Sequence, residues 1–304
     1  MTTRSLTFVL SSNEKISFIN DLFSLTKPRL SSLVIFTSAL GLFLAPVEIS
    51  FFKAFISILA TSGLVGGACA INCYMEKDID GLMERTKSRP LPSGRMSPNT
   101  ALTFGLSLIL SCLSILYIAI NPLTALLGLT AAIVYIGLYT PLKTKTSWAL
   151  FAGAIPGAIP PLMGWTSATN SFGNLGLVLF AILFIWQLPH FLSIAIYHAE
   201  DYKEASIKTH PGAIGIRQTV HRIAIYTYAL FLISVIPYWI GFTSEGYRNA
   251  LLVVGGAFFL YSLLGYTFEA GSKELLQWAR RYFYGSLVYL PCVFILMIYF
   301  RYNS

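Results

Sequence analysis

Three oxygen-bearing side chains stand four residues apart where a long apolar run gives way to charge. Asn72, Glu76 and Asp80 occupy positions i, i+4 and i+8, so on a helix they share one face. Carboxylate and amide oxygens are hard ligands that suit Mg²⁺, which keeps several waters and shares its shell with substrate phosphates. Asp78 lies off that face and is expected to be either a further ligand or a partner for Arg85. The spacing predicts a metal-binding stripe.

Cationic residues follow these acids directly. Nine of the 24 residues from 72 to 95 are charged, in a chain that is 11% charged overall. The basic side chains can hold phosphate oxygens; they are Arg85, Lys87, Arg89 and Arg95. A solvated, charge-balanced loop would also carry ions. It has no need, however, of acids at strict four-residue steps starting at membrane depth, where polar groups are costly. The segment therefore predicts a site for a metal-bridged polyphosphate.

The rest of the chain predicts the elements that hold this site. It has 304 residues, 55% of them hydrophobic, and a mean hydropathy of +0.67, which is typical of a multi-pass membrane protein. Nine apolar runs have about the length of a spanning helix. They lie near 30–47, 51–75, 99–120, 123–140, 148–165, 175–198, 222–243, 250–267 and 283–300. We predict one all-α transmembrane domain, residues 29–304, after a cytoplasmic segment, residues 1–28.

The positions of the basic residues predict the orientation in the membrane. If the N-terminus is cytoplasmic, only Lys53, Arg248 and Arg301 of the 21 Lys and Arg residues fall on the outer side. The basic excess then follows the positive-inside rule, and no nucleic-acid partner is expected. The first residues resemble neither a cleavable signal nor an Arg-rich transit peptide. A bacterial inner (plasma) membrane is therefore expected, with the N-terminus and the charged loops in the cytoplasm.

Three further groups of residues have types that can do chemistry. Tyr139 and Lys143 end the fourth apolar run, where such residues are ordinarily interface anchors. His190 lies deep in the sixth run and is, on its own, as readily a hydrogen-bonded bundle residue as a ligand. Acidic residues follow that run, where they form either a second metal site or a solvated loop; they are Glu200, Asp201 and Glu204.

The segment NCYMEKDIDGLMERTKSRPLPSG resembles the first Asp-rich motif of the UbiA-type intramembrane prenyltransferases, N-x-x-x-[DE]-x-x-x-D followed by R-T-x-x-R-P-L-x-x-G. The similarity runs from about residue 22 to the C-terminus. Other stretches resemble the branch of that family that farnesylates heme: LFSLTKPRLSSLVIFTSALG (23–41), YTPLK (139–143), GAIPGAIPPLMGW (153–165), WQLPHF (186–191) and EDY (200–202). The resemblance implies about nine transmembrane helices around a central cavity. It also implies transfer of a farnesyl group from farnesyl diphosphate to a vinyl group of protoheme IX, with addition of water, giving heme O.

The resemblance also implies roles for individual residues. The Mg²⁺ ligands would be Asn72, Glu76, Asp80 and Asp201, with Glu200 a weaker candidate. The diphosphate contacts would be Arg85, Arg89, Lys143 and Lys208. The catalytic set would be Glu76, Asp80, Tyr139 and Lys143, and His190 would ligate heme iron or contact a propionate. Two departures from the family pattern stand out: Thr144 replaces a common Arg, for which Lys145 can substitute, and SIKTHPG (206–212) brings in Lys208.

Other functions remain open at this level. A UbiA-type enzyme could act on a different acceptor, such as an aromatic acid, a quinone precursor or a lipid, although the PHF and GAIPGAIPPLMGW stretches argue against it. A transporter would place ionisable residues near the bilayer midplane within broken helices, whereas the acids here lie in two loops. A scaffold subunit of an oxidase is the weakest reading. Besides its substrates and the bilayer, possible partners are heme-handling or terminal-oxidase proteins.

Overall fold

The computed structural model describes residues 12–84, 86–204 and 207–302, with the side chains of 12–16, 29 and 204 left aside. Within those ranges the chain forms helices joined by turns and loops, with one isolated β-bridge between Thr243 and Arg301, so the predicted all-α class is confirmed. The helices are α1 (Ser12–Leu25), α2 (Pro28–Phe43), α3 (Phe51–Asp80), α4 (Pro98–Ile115), α5 (Pro122–Ile133), α6 (Thr140–Leu142), α7 (Ala149–Thr169), α8 (Asn174–Tyr197), α9 (Ala199–Glu204), α10 (His210–Ile214), α11 (Ile216–Trp239), α12 (Glu245–Leu263) and α13 (Lys273–Tyr299). Single π-helical turns, Leu116–Ile120 and Val134–Tyr139, extend α4 and α5, and a 3₁₀ turn, Leu264–Thr267, extends α12.

Each of the nine predicted apolar segments coincides with a helix in the described part of the chain. Seven of these helices are long and apolar enough to cross a membrane. The other two are α2, which has 16 residues, and α7, whose sequence is rich in Gly and Pro. Large apolar side chains cover the outer surface, for example Phe51, Ile118 and Val253, as expected of a surface that faces lipid. The chain is a multi-pass membrane protein.

Short polar signals set where the helices begin. The side chains of Ser50, Ser97, Asn121 and Ser272 accept a hydrogen bond from a backbone N–H in the first turns of α3, α4, α5 and α13. These are favourable N-cap residues, and two of them precede a proline at the first helical position, which needs no N–H partner there. Polar residues that precede these apolar runs in the sequence thus mark the starts of helices.

Small residues bring the helices that carry the site close together. A Cβ added at Gly67 of α3 would lie 2.8 Å from the carbonyl oxygen of Gly105 in α4, so only glycine permits this approach. Helix α7 remains continuous although it contains Pro156, Pro160 and Pro161, and it packs between α2 and α8. The result is a bundle in which α2, α3, α5, α7 and α8 surround a common space.

Candidate active site

A cavity of about 490 Å³ lies between these helices, within the usual size range of small-molecule sites. Its body is lined by apolar side chains, among them Leu64, Ala68, Ala132, Met163 and Leu192. Its mouth is lined by charged ones: Lys27, Glu76, Asp80, Arg89, Lys143 and Lys208. The cavity therefore offers an ionic mouth for a phosphate group and an apolar interior for a hydrocarbon chain.

The three residues of the α3 stripe line the mouth of the cavity together. Asn72, Glu76 and Asp80 are all buried. Helix α3 runs without a break from Phe51 to Asp80, so the stripe begins at membrane depth and ends where the helix ends. Burial of two carboxylates is costly unless each is paired and hydrogen-bonded, which makes their partners informative.

Each oxygen donor of the stripe is held by a cation from another part of the chain. Lys27 Nζ donates to Asn72 Oδ1 at 2.6 Å, and Lys143 Nζ lies 2.5 Å from Glu76 Oε2. Arg89 Nη1 donates to Asp80 Oδ2 at 2.7 Å. The charge-assisted bonds are short, as such bonds are. The two acids of the mouth are each paired with a cation, while Lys27 binds a neutral amide oxygen, so the mouth keeps an excess of positive charge.

Further hydrogen bonds fix the geometry of these groups. Asn72 Nδ2 donates to Glu76 Oε1 at 2.6 Å and to Thr140 Oγ1 at 3.0 Å, which sets the orientation of the amide and presents its oxygen to Lys27. The hydroxyl of Thr86 donates to the Asp80 carbonyl oxygen at 2.7 Å, and this bond anchors the loop after α3 against the end of the helix. Such cross-bonding holds the donor set in place before any ligand arrives.

Comparison with known proteins decides the family. The model of the UbiA prenyltransferase family matches residues 34–301. The chain belongs to the UbiA prenyltransferase family. It is therefore a transferase embedded in a membrane.

Similar proteins cover nearly the whole chain of this family member. A protein named protoheme IX farnesyltransferase from Anaeromyxobacter dehalogenans is 43% identical over 288 residues, 95% of this chain and 96% of that protein. One of the same name from Myxococcus xanthus is 44% identical over 275 residues, 90% of this chain and 92% of that protein. The chain thus matches these proteins over nearly their full length.

Solved structures share the fold at low sequence identity. A structure described as digeranylgeranylglyceryl phosphate synthase in membranes has a TM-score of 0.77 at 16% identity, covering 92% of this chain and 97% of that one. A UbiA homologue from Archaeoglobus fulgidus bound to DMAPP and Mg²⁺ has a TM-score of 0.68 at 17% identity, covering 91% and 99%. These likenesses establish the fold of this UbiA-family chain and nothing finer.

The mouth of this UbiA-family cavity has donors that suit Mg²⁺. The α3 stripe supplies two carboxylates and one amide oxygen, all hard ligands. In the described part of the chain no three His, Cys, Asp or Glu side chains are grouped closely enough to hold a metal by themselves. A protein cage is therefore absent from those residues, and a metal here would need oxygens from substrate and water, which is how Mg²⁺ is usually bound.

Tyr139, Lys143 and Lys208 line the same cavity. The ring of Tyr139 stacks on that of Tyr135 with centroids 5.5 Å apart. A Cβ at Gly153 would come within 2.7 Å of the Tyr139 ring, so the glycine makes room for it. The backbone N–H of Lys208 donates to the Lys143 carbonyl oxygen at 3.1 Å, and this bond ties the loop after α9 to the site.

Other charged residues near the stripe lie outside the cavity wall. Asp78 pairs with Lys77 at 3.1 Å on the surface. The remaining basic candidates of the loop also have surface partners, Lys87 with Glu84 and Arg95 with Asp21. Lys145 is exposed. Arg85, a predicted diphosphate contact, lies outside the described residues. The loop after α3 thus contributes Arg89 to the cavity wall.

The second acidic cluster and His190 are placed differently from the stripe. Asp201 Oδ2 accepts a hydrogen bond from His198 Nδ1 at 3.0 Å, and neither Asp201 nor Glu200 lines the cavity. His190 is buried, with Nδ1 2.7 Å from Ser286 Oγ and its ring stacked on Trp186 at 4.5 Å. It also stands outside the cavity lining, although Phe191 beside it belongs to the lining. Their roles as Mg²⁺ and heme ligands stay predictions.

Sequence reasoning missed Lys27, which holds the amide oxygen of the stripe. Lys27 precedes Pro28 and has a left-handed backbone with φ of 50°, a conformation that costs a non-glycine residue about 1 kcal/mol or more. The strained residue aims its ammonium group at Asn72 from the start of α2. A lysine directly before a helix-initiating proline, at the predicted cytoplasmic edge, was the available signal.

His210 also lines the mouth. It belongs to the SIKTHPG stretch, which departs from the family pattern. It lies at the start of α10, outside the spanning helices, and it is buried. Burial lowers its pKa, and the Arg222 guanidinium, 3.4 Å from its Nε2, lowers the pKa further. The imidazole is therefore neutral at pH 7, and its Nε2 is suited to accept from Arg222.

Proposed function

We propose that the protein transfers a farnesyl group from farnesyl diphosphate to a vinyl group of protoheme IX, with addition of water, giving heme O and diphosphate. One observation carries the transfer chemistry: an ionic mouth of buried acids and cations opens directly into an apolar cavity of about 490 Å³. The choice of acceptor rests on relatives named protoheme IX farnesyltransferase, 43% and 44% identical over 90% or more of the chain.

Diphosphate binding in this proposal is an exchange of partners. Lys27, Lys143 and Arg89 hold the stripe oxygens in the unliganded protein. These cations would take oxygens of a bound diphosphate as their partners, and the stripe oxygens would then be available to hold Mg²⁺. Magnesium supplies positive charge to the departing diphosphate, which lowers the barrier to leaving. Lys208 lines the same mouth and is a further phosphate contact.

The apolar body of the cavity protects the allylic cation of the farnesyl group. Once the diphosphate bond breaks, the allylic carbon carries positive charge, and water would quench it before the acceptor could react. Apolar side chains exclude bulk water, and the stacked rings of Tyr135 and Tyr139 offer π faces near the mouth that stabilise a cation. The reaction needs an ionic mouth and an interior that is closed to bulk water.

The proposed location is a bacterial inner membrane, with the cavity mouth facing the cytoplasm. The support is the distribution of Lys and Arg along the chain under the positive-inside rule. Cytoplasmic exposure of the mouth would also place it where a charged, water-soluble diphosphate head group arrives.

The test is a magnesium-dependent assay of the full chain in detergent with farnesyl diphosphate and protoheme. The porphyrin is read by mass spectrometry, and magnesium is removed with a chelator in a parallel reaction. We expect a porphyrin heavier by one farnesyl group and one water, lost on chelation and restored by added Mg²⁺. An unchanged porphyrin beside a working control enzyme would overturn the acceptor and favour the alternative, a UbiA-type enzyme for an aromatic acid, quinone precursor or lipid.

A further inference from the structure

A buried amide side chain lies deep in the wall of the cavity. Gln187 lines the cavity and is 5% exposed. It precedes the end of α8 at Tyr197 by ten residues, about 15 Å along a helix axis, so it lies well inside the mouth. A buried amide that is not fully hydrogen-bonded costs free energy. A ligand that completes the hydrogen bonding of this amide would remove that cost.

Neighbouring carbonyl groups fix which end of the amide is free. Gln187 Nε2 donates to the carbonyl oxygens of Ala154 and Leu183, both at 3.1 Å. Both amide hydrogens are therefore used, and Oε1 accepts no hydrogen bond from the residues that the structure describes. This oxygen lies against Gly157, where a Cβ would overlap it. The glycine thus leaves space for an acceptor with a fixed direction.

The facing helix adds more acceptors to the same wall. Pro160 and Pro161 have no N–H, so the carbonyl oxygens of Pro156 and Gly157 lack the donor that a helix normally supplies four residues later. Pro156, Gly157 and Pro160 all line the cavity. Helix α7 and Gln187 therefore place several hydrogen-bond acceptors on one wall of the mainly apolar interior.

Such a wall suits a water molecule held by its hydrogens. A water bonded to two acceptors has both hydrogens engaged and turns its lone pairs toward the open cavity. We propose that Gln187 Oε1, together with the free carbonyl oxygens of α7, positions the water that adds to the vinyl group. This inference rests on the proposed function. Gln187 acts as a positioning residue and takes no proton.

The step balances without an oxidant or reductant. The π electron pair of the vinyl group forms a bond to C1 of the farnesyl group as the bond from C1 to the diphosphate oxygen breaks. Positive charge remains on the vinyl carbon next to the porphyrin, where the acceptor oxygens stabilise it. The water oxygen bonds to that carbon, and its proton passes to the departing diphosphate. Without a positioned water the cation loses a neighbouring proton instead, and the product is lighter by one water.

The two products give a readout that an effect on folding or rate does not change. The assay measures the ratio of water-free to hydroxylated farnesyl porphyrin by mass spectrometry. We expect Gln187→Leu, of similar size but without an acceptor, to raise this ratio about tenfold, since a hydrogen bond to a charge-developing centre is worth at least that much. Gln187→Glu keeps an acceptor oxygen and, as the neutral acid favoured by burial beside two carbonyl oxygens, keeps one donor, so its ratio should stay closer to wild type than that of Gln187→Leu.

A matched control comes from the same helix. Ser193 is buried on α8 and donates to the His190 carbonyl oxygen, and it stands outside the cavity lining, so Ser193→Ala should leave the ratio unchanged. If Gln187→Leu does not accumulate in the membrane, Gly157→Ala carries the comparison, because its methyl group must displace Oε1 and raise the ratio likewise. A variant that is slower but has the wild-type ratio contradicts the inference. A wild-type protein that forms no farnesylated porphyrin contradicts the proposed function itself.

Discussion

Two acidic clusters follow two long apolar helices, and they differ in burial and in partners. The side chains of Asp80 and Glu76 are 3% and 5% exposed, whereas that of Asp201 is 43% exposed. The first pair is held by Arg89 and Lys143, and it lines the cavity. Asp201 instead meets His198, three residues away on the surface.

The contrast teaches what separates a built site from a charged loop. A carboxylate on the surface is stabilised by water and needs no partner, so its neighbours say little. A buried carboxylate must be compensated, and the cation that compensates it has been brought there by the fold. The first cluster is therefore preorganised in the unliganded protein. If the second cluster binds metal, Asp201 must exchange its contact with His198 for the ion.

The largest expected effect is at the end of the α3 stripe. Asp80→Asn removes one charge without changing size, and turnover should fall about 10²- to 10³-fold, because charge stabilisation by one preorganised group is typically worth that much. Steady-state kinetics of the porphyrin product measures it, and thermal unfolding in detergent checks that the fold is kept. Asp78→Asn, at an exposed pair two residues away, is the control and should turn over like wild type. If Asp80→Asn turns over like wild type and still requires Mg²⁺, Asp80 is not a catalytic metal ligand.

A smaller effect is expected when a cation of the mouth is removed. Lys27→Gln loses the bond to Asn72 and, in our proposal, a phosphate contact. We expect kcat/KM for farnesyl diphosphate to fall about 10- to 100-fold, the usual value of one charge-assisted hydrogen bond. Lys77→Gln removes a lysine whose partner is the exposed Asp78 and should change kcat/KM little. Equal losses in the two variants would mean that net charge matters and the position of Lys27 does not.

A substitution at Asp201 tests whether the exposed acidic cluster binds metal as the buried cluster is proposed to do. If this carboxylate is the further Mg²⁺ ligand, Asp201→Asn should raise the Mg²⁺ concentration for half-maximal turnover about tenfold, while turnover at saturating Mg²⁺ changes little. A titration of rate against Mg²⁺ measures both. Glu269→Gln, at an exposed position between α12 and α13, is the control. A Mg²⁺ requirement equal to that of wild type would make the second cluster a solvated loop.

The sequence predicted much of the fold, since apolar run length and N-cap residues are local properties. All nine runs became helices, and the spacing of Asn72, Glu76 and Asp80 placed them on one buried face. The partners of these residues could not be predicted, because Lys27 is 45 residues away from Asn72 along the chain and its approach depends on how α2 packs on α3. The same holds for Gln187, whose amide is oriented by the carbonyl oxygen of Ala154 on another helix.

The smallest effect is expected at the rim of the mouth. The pKa of His210 is lowered in the folded protein by burial and by Arg222, so above about pH 6.5, the ordinary histidine value, both folded and unfolded states are neutral there. As pH falls below that value the unfolded state binds the proton first, and stability decreases, by at most about 1.4 kcal/mol per pH unit. Thermal unfolding between about pH 7.5 and 5.5, one unit either side of the ordinary histidine pKa, should show a shallower decline of stability in His210→Gln. Arg222→Gln should lie between that variant and wild type, because it removes only the second cause. Identical slopes in all three proteins would mean that the rim histidine is solvated in the membrane, and that the ordered mouth is confined to the α3 stripe and its cations.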